Sequence, residues 1–214
     1  MSIQKTPLEI GKYYHIYNRG IDSCVLFRDK ENYEYFLDLY DKYISPVANT
    51  YAWVLMNNHF HFVIYVLPED CWGKLPQPEN YGDLRRAESL RPLSAENRVN
   101  KQFSNFFNAY TKAFNKRYCR TGSLFEHPFR RKLIYNMDYL KKMIIYTHQN
   151  PLKHGVCSHP IEYPWSSYLS CLSLKPTKLQ RDKVIACFGN TDTFKIYHNQ
   201  AVYSVNIDEW IELE

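Results

Sequence analysis

No run of 18 or more apolar residues occurs in this 214-residue chain, so no membrane-spanning helix is expected. The first residues, Met1-Ser2-Ile3-Gln4-Lys5-Thr6-Pro7, lack the basic start and apolar segment of a secretory signal, and a cytoplasmic protein is the expectation. Cysteine occurs six times, at 24, 71, 119, 157, 171 and 187, but never as Cys-x-x-Cys. That spacing suggests neither a zinc finger nor a disulfide framework, and the six read as reduced thiols. Internal repeats and low-complexity tracts are missing as well. Acidic residues are scarce in one stretch: from Lys112 to Lys142 only Glu126 and Asp138 stand against Lys112, Lys116, Arg117, Arg120, Arg130, Arg131, Lys132, Lys141 and Lys142.

That stretch also holds Phe114, Tyr118, Phe125, Phe129, Tyr135 and Tyr139. Basic groups neutralise phosphates and aromatic faces stack on unpaired bases, so the mixture suits single-stranded or distorted nucleic acid. A solvated helix face beside ordinary core aromatics accounts for it equally well. The whole chain carries a formal charge of +5 and 45% hydrophobic residues, enough for one sizeable core.

Periodicity supplies the elements. A first strand is expected over about 12–20, a helix capped by Asp29 runs to about Tyr43, and strands over about 50–57 and 59–66 form a hairpin about Asn57-Asn58. Residues 68–98, with Pro68, Pro76, Pro78 and Pro92, read as a long loop or insertion. A helix over about 99–117, a strand over about 129–135 and a helix from Tyr139 to about Gln149, stopping before Pro151, complete the pattern. The order β-α-β-β-α-β followed by a helix is the α+β, ferredoxin-like or split βαβ arrangement, an antiparallel sheet with helices on one face and the other face open to a ligand. Residues 1–155 are expected to form this domain. Residues 156–214 read as a small, mostly helical extension, able to contact DNA, with a helix opening near Trp165-Ser166-Ser167-Tyr168 and short pieces over 182–188 and 192–197.

Within the hairpin, His59-Phe60-His61 carries the chemistry. Residues i and i+2 of a strand share a face, so the two imidazoles point one way while Phe60 and Phe62 point the other. This is half of a divalent-metal site, or two polar side chains on a solvated face. The last helix of the domain offers the other half. Tyr146 and Asn150 are four apart and stack on one helix face, so the amide oxygen of Asn150 can complete a set of two neutral nitrogens and one neutral oxygen that leaves positions open for phosphate and water. Each also has an ordinary alternative, Tyr146 as a core residue and Asn150 as a helix-end cap. Tyr139, seven residues earlier, is the rival nucleophile but has Met143 where an amide partner would stand. His15 either neighbours the site or packs.

Three separated motifs then carry a resemblance: His59-Phe60-His61 after a Trp-Val-Leu strand, the run from Phe114 to Phe125 (FNKRYCRTGSLF), and Tyr146-x-x-x-Asn150-Pro151-Leu152-Lys153-His154-Gly155. Together, over roughly residues 10–170, they resemble the single-tyrosine HUH transposases, in the branch of the REP-associated tyrosine transposases. The resemblance implies a domain that binds hairpin-forming single-stranded DNA and cleaves it without external energy. It makes His59 and His61 ligands of Mg²⁺ or Mn²⁺, Tyr146 the nucleophile that forms a 5′-phosphotyrosine, and Asn150 the third ligand, in a position where other branches have Gln. His148 and Gln149 are the backups for that ligand. Arg19, Arg117, Arg120, Arg130 and Arg131 are candidates for phosphate contacts and Phe125 for a base-stacking platform, each otherwise a surface charge or a core aromatic. Both a monomer acting in cis and a homodimer are compatible with such a site. Three functions stay in competition: a cleaving and rejoining transposase, a hairpin-binding module without catalysis, and a metal-dependent phosphoesterase using water.

Overall fold

A computed structural model describes residues 7–76 and 94–200 of the chain. Four strands form one antiparallel sheet: β1 (Tyr13–Arg19), β2 (Ala48–Leu55), β3 (His59–Val66) and β4 (Arg130–Ile134), in the order β2-β3-β1-β4. With α1 (Lys30–Tyr43) between β1 and β2 and α2 (Ala95–Arg117) between β3 and β4, this is the split βαβ topology read from the sequence. The hairpin turns about Asn57 and Asn58, where Met56 N–H donates to the His59 carbonyl at 2.8 Å. Asp29 caps α1 through its side chain, and Ser94 caps α2. Capping by Ser94 starts α2 four residues earlier than its apolar spacing indicates. Residues 77–93, in the middle of the expected long loop, and 201–214, at the end of the expected extension, lie outside the described residues.

Alternation along the strands divides the core in two. Tyr14 and Ile16 of β1 and Phe60, Phe62 and Ile64 of β3 meet Phe36, Leu39 and Tyr40 of α1 and Phe103, Phe106, Phe107 and Tyr110 of α2. Their neighbours in sequence, His15, Tyr17, His59 and His61, face the other way. The register seats Tyr17 opposite His61 and Arg19 opposite His59, so a patch of polar aromatics occupies one end of that second face.

The second face is covered in part by α3 (Met137–Lys153), capped by Asn136, and by three short helices, α4 (Tyr168–Leu172), α5 (Arg181–Phe188) and α6 (Thr191–Asn199). Leu140, Met143 and Ile144 of α3 close on Ala52, Val63 and Ile134 of the sheet, while Tyr168, Val184, Phe188 and Phe194 join the same core. Every residue from Met143 to Pro151 is buried, because α3 is sandwiched between the sheet and the C-terminal helices. Here the structure departs from the sequence expectation. The helix does not stop before Pro151 but runs through it to Lys153. Proline near a helix end removes only one bond of the last turn, and burial of that turn outweighs the bias of the preceding residue.

Candidate active site

Two of the strands and one helix meet at the polar end of the second face. His59 and His61 project from the start of β3, and Asn150 of α3 reaches both: its Oδ1 lies 3.0 Å from His59 Nε2 and its Nδ2 3.3 Å from His61 Nε2. Tyr146, one helical turn earlier, turns its ring edge-on to His61 at 5.5 Å between centroids and to His15 at 5.9 Å. A spacing of four residues, close to the 3.6 of one turn, puts Tyr146 and Asn150 on one face of α3. The same helical geometry turns His148 and Gln149 away. His148 bonds His198 and Ser167, and Gln149 bonds the His198 carbonyl, all on the side of the C-terminal helices. Neither reaches the two strand histidines in this arrangement.

Burial shapes the protonation of this cluster. Desolvation lowers the pKa of His59 to about 4, against the opposing effect of the Asn150 hydrogen bond, and that of His15 to about 3. His61, buried beside His15 and His59, falls well below its ordinary value for the same first reason. All three are neutral imidazoles near pH 7, the form that can donate a lone pair to a metal ion.

The donor set fits a small divalent cation. His59 Nδ1 lies 2.7 Å from Asn58 Oδ1 while its Nε2 faces Asn150 Oδ1. A neutral imidazole has one N–H and cannot donate to two amide oxygens at once. If Nδ1–H donates to Asn58, the lone pairs of His59 Nε2 and Asn150 Oδ1 confront each other at 3.0 Å, an arrangement that a cation between them relieves. The spacing agrees with the roughly 3 Å that separates adjacent ligands about 2.1 Å from a six-coordinate ion. Among the described residues no three His, Cys, Asp or Glu side chains surround one point; the Asn150 amide is the further polar group within reach of both imidazoles.

The cluster opens on a groove enclosing about 1020 Å³, at or beyond the upper end of sites for small molecules. Its walls include Tyr17, Arg19, Tyr33, Asn57, Asn58, Glu126, Arg130, His154, Tyr163 and Trp165. Of the five candidate arginines, Arg19 and Arg130 therefore stand at the groove. Glu126 lies between them, 2.5 Å from Arg19 Nε and 3.8 Å from Arg130. Arg131 follows Arg130 in β4 and so points to the opposite face, lying over the Phe129 ring and bonded to Asn100. Arg117 pairs with Asp29 at 2.8 Å beside α1. Arg120 donates to the Ser123 carbonyl at 2.5 Å and to Asn115 Oδ1 at 3.0 Å, tying its own turn together.

Phe125 is a correction. Its ring is 2% exposed and packed among Phe36, Phe60, Phe107 and Tyr110, so neither face is available to a base. Phe125→Ala is expected to cost about 3–5 kcal/mol of folding stability, as a large buried aromatic does, which chemical denaturation would measure. A stacking residue would instead weaken DNA binding and leave the denaturation midpoint where it was.

Several residues at the site escape a reading of the sequence. His15 was visible only as one of two options, since strand alternation gives its face but not its partner. Asn58 adjoins the motif, yet its type is also what a tight turn requires. Lys153 stands two helical turns from Tyr146, and its ammonium lies over that ring at 4.6 Å; the spacing of seven was the available signal. Tyr33 and Trp165, stacked at 4.3 Å, come from distant segments and carry no local signature.

No family model matches the chain, and no curated protein matches it. Among solved structures it is similar to that of a REP-associated tyrosine transposase bound to a REP hairpin, with 15% sequence identity, a TM-score of 0.55, and coverage of 82% of this chain and 89% of that one. At that identity the likeness establishes a shared fold. Among the described residues no helix is long and apolar enough to cross a membrane.

Proposed function

We propose that this protein is a tyrosine HUH transposase that cleaves and rejoins hairpin-associated single-stranded DNA, using Tyr146 as nucleophile and a divalent cation, Mg²⁺ or Mn²⁺, held by His59, His61 and Asn150. The observation that carries the proposal is convergence within one chain: two strand imidazoles, a helix amide and a phenol at one large open groove. The shared fold with a hairpin-bound transposase supports the same reading.

The ion, when bound, supplies Lewis acidity to the non-bridging oxygens of the scissile phosphate. The chain does the rest. Arg19 and Arg130 hold the flanking backbone by charge-assisted hydrogen bonds. Tyr146, its ring packed against His15 and His61, attacks phosphorus in line. The P–O3′ bond breaks, the 3′-oxygen leaves and takes up a proton, the phenolic proton passes to solvent, and a 5′-phosphotyrosine remains. Lys153, beside the Tyr146 ring, adds positive charge next to the attacking group. One phosphoester has replaced another, so a later 3′-hydroxyl can attack the adduct and expel the tyrosine without ATP. Because Tyr146 packs against the strand histidines of its own protomer, the proposed attack is in cis.

The test is to incubate the protein with hairpin-bearing single-stranded DNA and Mn²⁺ and look for a covalent protein–DNA adduct. His59→Ala is expected to reduce adduct formation on the order of 10²-fold or more, while DNA affinity changes by less than about threefold, because the arginines supply most of the attraction. Full adduct yield from His59→Ala would remove the metal from the proposal.

A further inference from the structure

We propose that His15 is a positioning residue that holds His61 in the tautomer a metal ion requires, with its lone pair on Nε2; the inference rests on the metal site proposed above. His15 is fully buried on the central strand, and its Nε2 lies 2.9 Å from His61 Nδ1 with the two rings nearly coplanar, 8° apart. A face of the His15 ring stacks on Tyr17 at 4.8 Å. The ring is packed against Tyr17, His61 and Tyr146.

The direction of this bond follows from Asn150. An amide presents an acceptor at one end and donors at the other. As the Asn150 amide is assigned, with Oδ1 toward His59, its Nδ2 group is placed to donate to His61 Nε2, and in that assignment His61 Nε2 carries no hydrogen. The hydrogen of a neutral His61 is then on Nδ1 and is donated to His15 Nε2, and the hydrogen of His15 is on Nδ1. Among the described residues that buried Nδ1 has no hydrogen-bond partner. Orphaned buried N–H groups are rare and call for an explanation. Here the explanation is that the unpartnered nitrogen of His15 is the consequence of orienting His61. Ligating histidines usually donate their second nitrogen to a carboxylate, a carbonyl or water, which fixes the tautomer. In this chain a second histidine takes that place, so the site gains orientation without an added negative charge, and a bound cation keeps its full pull on phosphate.

Titration of the full-length protein with Mn²⁺ alone, followed by electron paramagnetic resonance, tests the inference without reference to turnover. His15→Phe keeps the ring and removes the acceptor, and is expected to weaken Mn²⁺ binding about 10- to 100-fold. His15→Gln, whose side-chain oxygen can accept at the distance of Nε2, is expected to recover most of that loss, which a residue serving only to fill space would not predict. In the metal-free wild-type protein, imidazole nitrogen resonances are expected to show His61 protonated on Nδ1; protonation on Nε2 would overturn the inference even if His15→Phe failed to fold. Equal Mn²⁺ affinity in wild type and His15→Phe would overturn it while leaving the metal site standing. A wild-type protein that binds no Mn²⁺ would overturn the metal site and this inference together.

Discussion

Tyr146→Phe is expected to eliminate the covalent protein–DNA adduct, with strand cleavage falling by at least about 10³-fold, while Tyr139→Phe leaves adduct formation near the wild-type level. The substitution deletes one oxygen and keeps the ring that packs against His15 and His61, so a loss of activity is not a loss of fold. Tyr139 serves as the internal control. It stands about 10 Å nearer the N-terminus of α3 and stacks on Tyr135 at 5.1 Å. The comparison separates the three functions that the sequence leaves in competition. Cleavage that persists in Tyr146→Phe without an adduct means that water is the nucleophile and the protein is a metal-dependent phosphoesterase. Tight hairpin binding with no adduct from the wild-type protein means a binding module.

How much of this was legible beforehand depends on the range over which each signal acts. Strand alternation and the helical repeat are local, and they correctly sorted His59 and His61 from Phe60 and Phe62, and aligned Tyr146 with Asn150. The antiparallel sheet and its helix order followed from the same periodicities. Pairing across the sheet is not local. Only the register of β1 against β3, with Tyr17 opposite His61, brings His15 to the back of His61. Phe125 fails for a related reason: an aromatic in a basic stretch has the same composition whether its ring lies on the surface or between two helices. The covering of α3 was hidden as well. Its uninterrupted buried run requires α4–α6 on its outer side, and those helices are too short to announce a face by periodicity.

That same burial predicts a steep dependence of stability on acid, the second large effect. His198 of α6 donates Nδ1–H to the Phe194 carbonyl at 2.8 Å and accepts from His148 at 2.9 Å, and His148 in turn accepts from Ser167 at 2.7 Å. Every partner in this chain is satisfied by neutral rings. Burial lowers the pKa of His198 to about 4 and that of His148 well below its ordinary value, and His15 stands at about 3. An unfolded histidine titrates near 6.5. As pH falls below 6.5 the unfolded chain takes up protons that the folded chain refuses, so stability is complete above that pH and declines until the folded pKa is reached. For His198 the window runs from 6.5 to about 4 and is worth roughly 3 kcal/mol; His15 extends the decline toward pH 3. Against a usual total of about 5–15 kcal/mol, a few such groups suffice to unfold the protein in mild acid. Circular dichroism in the absence of divalent ions should show cooperative unfolding that begins near pH 6, roughly, well above the range in which carboxylates protonate. His198→Gln, which keeps an acceptor for His148 but cannot titrate, should flatten the slope of unfolding free energy against pH in that window by about one proton. A protein equally stable at pH 7 and pH 4 would show that the C-terminal helices do not seal these imidazoles from water.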